Sequence, residues 1–350
     1  MKTTSESYGG GNQFGNALIQ FLREQGDRVV FDLIDTDIDI ILLTEPRPKR
    51  ASAHFGPIEI ERYLRKINPA AIIIHRINEC DERKGTRTVN RVLCMANQMA
   101  DHTVYIATWL IPLFQEQGLR FTPSHSVILN GGDRSVFVYK QKKLPEKGKI
   151  RLVTHHWSSH PMKGWDIYHH IDDRMEQDSD FRNRFEFHYI GNAPQQTQCR
   201  HIQFHEPVNG VRLAEKLSDC HVYVTGSICE PAGMHHVEGA LCGLPLLFRE
   251  SGALPEYCRG YGVSFKAKED LIASLEALIT QYDTFQDALR FYENSAQKMC
   301  EAYHGLFHRL LRQRDDTLRA RPRGFYGLRK AASLKSSFTV VRLMHMLGVQ

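Results

Sequence analysis

Two carboxylates eight residues apart carry the strongest chemical signal in this sequence, in the stretch Glu230-Pro231-Ala232-Gly233-Met234-His235-His236-Val237-Glu238. An apolar run, His221-Val222-Tyr223-Val224-Thr225, precedes it. A helical pattern stopped by Gly243 follows, leading into Leu244-Pro245-Leu246-Leu247-Phe248. The pattern predicts a strand–loop–helix junction, with Glu230 in the loop and Glu238 about two turns into the helix. Ligands of open α/β sheets bind outside the carboxyl ends of strands. Free N–H groups at a helix start favour phosphate. Two acids flanking such a start suit the hydroxyls at either end of a phosphate-centred ligand, and a sugar nucleotide has that shape. The bland alternative is one acid near a helix start and one solvated helical glutamate.

Three further groups stand where chemistry is placed. Lys163 opens a helical pattern running from Trp165 to about Met175. A cation there opposes the helix dipole and needs an anion nearby, unless it is an ordinary surface lysine. His75 ends the continuous apolar run Ala70-Ala71-Ile72-Ile73-Ile74, as expected of a strand buried on both faces. It is a strand-end site residue or a satisfied core histidine. Gly9-Gly10-Gly11 feeds a helical pattern with Phe14, Ala17, Leu18, Phe21 and Leu22 on one face. Such a loop lets backbone approach phosphate, or is a plain turn. The histidine pairs at 155–156, 169–170 and 235–236 point in different directions within each pair, so no metal site is expected.

The elements that must position these groups follow from periodicity. Strand-like runs at Arg28–Phe31, Ile38–Leu43, 70–74, 103–107 and 126–129 alternate with helical segments, and the alternation restarts at Ile150. This predicts an α/β chain with parallel sheets in two domains. The polar segment Lys140–Lys149 reads as the linker. The boundaries are 1–140, 150–284, 285–318 and a tail at 319–350. From Phe285 the apolar residues step by four and three through Leu289, Tyr292, Ala296, Met299, Tyr303, Leu306 and Leu310, predicting one long amphipathic helix. Only a polar octapeptide precedes the glycine loop, where a doubly wound domain needs a strand. The expectation is therefore a start upstream of Met1, or a truncated chain.

Composition bounds the rest. The chain is 42% hydrophobic and 24% charged, as globular proteins are. No apolar run approaches the ~20 residues that span a bilayer, and the first residues lack a signal-peptide core. None of the eight cysteines forms a Cys-x-x-Cys pair, which suits a reducing cytoplasm. The net charge of +5 sits in the tail: residues 309–350 hold ten Lys or Arg against two Asp, leaving the remainder near −3. The tail is a solvated segment, or one that attaches to an anionic membrane surface through Phe325, Tyr326, Leu328 and Phe338. No basic–aromatic platform for nucleic acid is present elsewhere, so no nucleic-acid partner is expected.

The residues Glu230-x7-Glu238 with Gly233 inside, then Gly239-Ala240-x-x-Gly243-x-Pro245, resemble the retaining glycosyltransferases of family four. Gly191, Leu213-Ala214-Glu215-Lys216-Leu217, Gly252-Ala253-Leu254-Pro255-Glu256, the glycine loop and Asn130-Gly131-Gly132-Asp133 extend the resemblance over nearly the whole chain. It implies a GT-B fold of two facing Rossmann-like domains, a nucleotide-sugar donor, a saccharide or lipid-linked acceptor, and no cofactor or metal. It also implies roles. Glu230 would bind the donor sugar, Glu238 the ribose, and backbone N–H groups at Gly233 and Met234 the diphosphate. Lys163 would neutralise the leaving diphosphate, Gly9, Gly10 and Gly11 would close over it, and His75 would lie near the reacting carbon or the acceptor. The sequence departs from the family at Ser158, where many members carry an Arg five residues before the lysine. His155, His156, His160 and Arg76 are the cations at hand to replace it. The departure leaves a non-catalytic sugar-nucleotide-binding protein as the alternative.

Overall fold

The structure, a computed structural model, describes residues 9–47, 53–118, 124–195 and 197–321. The chain divides into two compact units. The first holds Gly15–Leu129 and the residues from Met299 on, and the second holds Asn130–Lys298 together with the described residues 9–14. The boundary falls at Leu129, ahead of the charged segment 140–149 that the sequence marks as linker. That segment is tied into the second unit instead, where the Lys142 backbone N–H donates to Gln286 Oε1 at 2.9 Å.

In the first unit, strands β1 (Ile40–Leu43), β2 (Ile72–Ile77), β3 (His102–Tyr105) and β4 (His125–Val127) form a parallel sheet in sequence order. All six residues of β2 are buried, as its unbroken apolar run requires. Helices Pro57–Lys66 and Val89–Asn97 cover it, with Ile60, Tyr63, Leu64, Val92 and Ala96 in one core with Ile41, Leu43 and Ile73. The run Arg28–Phe31 is not a strand. Arg28 is held locally by Asp35 and Asp37, at 3.1 and 2.6 Å, and among the described residues no strand pairs with this run. Residues 1–8, where the sequence lacks the strand expected before helix Gly10–Glu24, lie outside the described residues.

The second unit contains β5 (Ile150–His156), β6 (Phe185–Gly191), β7 (Ile202–His205), β8 (Val222–Thr225), β9 (Leu246–Arg249) and β10 (Gly262–Phe265). All pair parallel, in the order β10-β9-β8-β5-β6-β7. From β5 the chain builds outward through β6 and β7, then returns to the other side of β5 for β8. Strand order thus reverses between β5 and β8, where doubly wound sheets leave a crevice beyond their carboxyl ends.

The stripe from Phe285 is buried at Phe285, Leu289, Tyr292, Met299, Tyr303, Leu306 and Leu310, but it is not one helix. Helices Tyr282–Leu289, Ala296–Arg312 and Arg314–Ala320 divide it. The break has a specific cause. Gly132 forms a parallel bridge with Ser295, donating to Asn294 O at 3.1 Å and accepting from Ala296 N at 2.7 Å. Those groups are then unavailable to a continuous helix. The tail also begins later than 319. Arg321 is 9% exposed and makes a bidentate pair with Asp101 at 2.5 and 2.6 Å. Residues 322–350, with the membrane-facing side chains expected there, lie outside the described residues. Among the described residues no helix is long and apolar enough to cross a membrane.

Candidate functional site

The loops after β5 and β8 flank the reversal of strand order, and each delivers one predicted site residue. Lys163 ends the 3-10 turn Pro161–Lys163 after β5, and Glu230 lies five residues beyond β8. Lys163 Nζ donates to Glu230 Oε2 at 2.9 Å, with side-chain exposures of 14% and 6%. The anion that Lys163 needs at a helix start is therefore, in this structure, Glu230 itself.

The Glu230 loop is stitched to its neighbours by backbone. Ile228 N–H donates to Met162 O at 2.9 Å, and Ala253 N–H donates to Glu230 O at 2.8 Å. Cys229 N–H donates to Ser251 Oγ at 2.8 Å. Cys229 has a φ of 48°, the one positive φ outside glycine among the described residues. Gly252, at φ +58°, packs so closely that a Cβ there would fall 2.5 Å from Glu230 N and O. Sequence reading placed Gly252 in the family pattern but had no signal for Cys229.

Glu238 sits nearer the helix start than the spacing predicts. Residues 231–234 are loop and turn, so helix His235–Leu241 places Glu238 in its first turn. Glu238 is 3% exposed. Its Oε2 accepts from His155 Nε2 at 2.6 Å and its Oε1 from Gln13 Nε2 at 2.9 Å. His155 was a candidate to replace the cation missing at Ser158. It is instead committed to Glu238, with Tyr223 Oη 3.1 Å from its Nδ1. Ser158 itself is exposed.

Gly233 lies where side chains crowd: a Cβ would meet His235 Nδ1 at 2.5 Å and Glu230 Cδ at 3.1 Å. His235 and His236 are buried. Burial pushes the His235 imidazole well down and His236 to about 3, so both are neutral near pH 7. His235 Nε2 bonds Thr225 Oγ1 at 2.9 Å, and among the described residues neither ring nitrogen of His236 has a hydrogen-bond partner.

The glycine segment joins this set from the other end of the sequence. A Cβ at Gly10 would lie 2.8 Å from Met234 Cγ, so the two predicted donor-binding positions meet. Gly9 has φ +79°, which favours glycine, whereas Gly11 has open space around it and no positive φ. Gln13, two residues on, completes the contact with Glu238 and carries no motif that sequence reading could use.

His75 belongs to the first unit, at the carboxyl half of β2, and is fully buried. Asn97 Oδ1 lies 2.8 Å from its Nδ1 and accepts from Thr103 Oγ1 at 2.9 Å. Nδ1 therefore carries the proton, and Nε2 is an acceptor without a hydrogen-bond partner among the described residues. Burial lowers the His75 pKa to about 4. Arg76 is buried beside Tyr303, in the same unit.

No family model matches the chain, and no curated protein matches it by sequence. Solved structures do match by fold. The sucrose-phosphate synthase from Thermosynechococcus elongatus superposes with a TM-score of 0.63 at 13% identity, over 89% of this chain and 96% of that one. WaaG, a glycosyltransferase involved in lipopolysaccharide biosynthesis, gives 0.58 at 12% identity, over 89% and 97%. Anabaena HepE, solved with UDP and glucose, gives 0.59 at 13% identity, over 88% and 85%. These likenesses, with two parallel-sheet units joined in one chain, give this protein the α/β GT-B fold.

Proposed function

We propose that this protein transfers a sugar from a nucleotide-sugar donor to a saccharide or lipid-linked acceptor, with retention of anomeric configuration, in polysaccharide or glycoconjugate synthesis. The observation that carries this is the buried Lys163–Glu230 pair at the β5/β8 reversal. A binding crevice is expected there, and the pair offers one carboxylate for sugar hydroxyls and one cation for a diphosphate. Fold neighbours solved with UDP and a sugar, HepE among them, support a nucleotide-sugar ligand. On binding, the diphosphate takes over the Lys163 ammonium and frees Glu230 to accept from sugar hydroxyls. As the donor bond breaks, Lys163 stabilises the charge growing on the leaving phosphate. The leaving phosphate serves as base for the incoming hydroxyl, a front-face displacement that needs no protein nucleophile. No metal or cofactor is required, because Lys163 supplies the positive charge.

The test is incubation with a panel of nucleotide sugars, reading donor hydrolysis, transfer and donor-induced thermal shift. Turnover of one donor that disappears in Glu230→Ala supports the reading, and a Glu230→Ala enzyme with normal turnover sinks it. Exposed Ser158 favours a second reading, donor binding without turnover. Its signature is a thermal shift with no hydrolysis under any acceptor.

A further inference from the structure

Gln13 holds one polar atom that the site as described leaves unused. It ends the first turn of helix Gly10–Glu24, in the segment that groups with the second unit. A carboxylate only accepts, so the amide must turn its Nε2 to Glu238 Oε1, at 2.9 Å. That fixes Oε1 as an acceptor facing elsewhere, and this oxygen is buried with no hydrogen-bond partner among the described residues. Buried acceptors are seldom left so, which points to a missing donor. His155 Nε2 holds Glu238 Oε2 at 2.6 Å, but each carboxylate oxygen keeps a second lone pair. Taken together, Gln13 Oε1 and the Glu238 carboxylate present acceptors side by side, with one further Gln13 N–H beside them. The complementary group carries two adjacent O–H donors, and a vicinal diol does.

We propose that Gln13 is a donor-positioning residue: its Oε1 accepts from the 2′-hydroxyl of a ribose cis-diol while Glu238 accepts from the 3′-hydroxyl, so that the site prefers ribonucleoside over 2′-deoxyribonucleoside diphosphates. This rests on the nucleotide-sugar reading above. His155 acts through Glu238, fixing the carboxylate plane that the amide and the diol share.

The experiment is calorimetric binding of UDP, GDP and ADP and of their 2′-deoxy forms to the full chain, to Gln13→Ala and to Gln13→Met. The methionine variant keeps the side-chain volume without the amide, and serves if the alanine variant melts early. The wild type is expected to prefer the ribo form by about five- to tenfold, the worth of a buried hydrogen bond. Both variants should bring that ratio to within about twofold while keeping affinity for the deoxy form. A ribo preference unchanged in both variants overturns the role of Gln13 alone. Failure of the wild type to bind any of the six nucleotides overturns the nucleotide-sugar reading and this inference with it.

Discussion

Lys163 Nζ lies 2.9 Å from Glu230 Oε2, and neither side chain is more than 14% exposed. Removing one partner therefore takes an opposite charge away from the other in a place where water does not readily replace it. Such breaks cost about 3–5 kcal/mol, whereas replacing both partners by neutral groups costs much less. Glu230→Ala is accordingly expected to lower stability as well as activity. A cycle of Lys163→Met, Glu230→Gln and the double variant should show the double variant more stable than either single one in urea titrations. Additive losses would mean that the two charges do not depend on each other.

Gly252 supports Glu230 by backbone contact, and alanine there meets two separate penalties. One is the left-handed φ of +58°, and the other is a Cβ 2.5 Å from Glu230 N and O. Gly260 has a φ of +89° but open space around it. Gly260→Ala thus isolates the conformational cost, about 1–2 kcal/mol. Gly252→Ala should cost clearly more and should raise the donor KM by shifting Glu230. Equal losses in the two variants, with KM unchanged, would show that the contact is absorbed without moving the loop.

The architecture was legible in the sequence wherever apolar runs were long or unbroken. Ala70–Ile74 announced a buried strand, and the alternation of elements announced two α/β units. Glu230, Lys163 and Gly233 converge as their positions at strand ends imply. What could not be read was set by contacts distant in sequence. The Gly132–Ser295 bridge breaks a helix whose pattern is uninterrupted. Gln13 reaches Glu238 across 225 residues. The helix start slipped because 231–234 are loop, so periodicity misplaced Glu238 by about a turn. Arg28–Phe31 has strand composition, but a strand is made by a neighbour as much as by its own residues.

Arg321 closes the first unit. Its guanidinium is bidentate on Asp101 and also donates to Pro69 O at 2.8 Å and Ala71 O at 2.6 Å. Asp101 in turn accepts from Ile73 N–H at 2.8 Å, at the start of β2. Arg321→Ala should cost about 3–5 kcal/mol, since it leaves the Asp101 carboxylate buried and unpaired. A chain ending after 318 should melt several degrees lower than one ending after 321. Equal melting of the two truncated chains would remove Arg321 from the framework.

Acid should weaken the fold before its carboxylates titrate. Burial lowers His75 and His102 to about 4 and His236 to about 3. His102 also feels the positive charge of Arg309 and its neighbour His125, while His236 lies between Glu230, which raises its pKa, and Lys163, which lowers it. In the unfolded chain each imidazole takes its proton near pH 6.5. Between pH 6.5 and about 4 the unfolded state therefore binds more protons than the native state, and stability falls as pH falls. The slope is at most about 1.4 kcal/mol per pH unit for each histidine, and it flattens once the folded groups also protonate. Urea midpoints measured from pH 7.5 to 4.5 should drop steadily below about 6.5. His236→Asn removes one titrating group and should make that drop shallower, with the rest carried by the other buried imidazoles, His75, His102 and His235 among them. A midpoint constant from pH 7 to 5 would mean that these histidines are not held neutral by the fold.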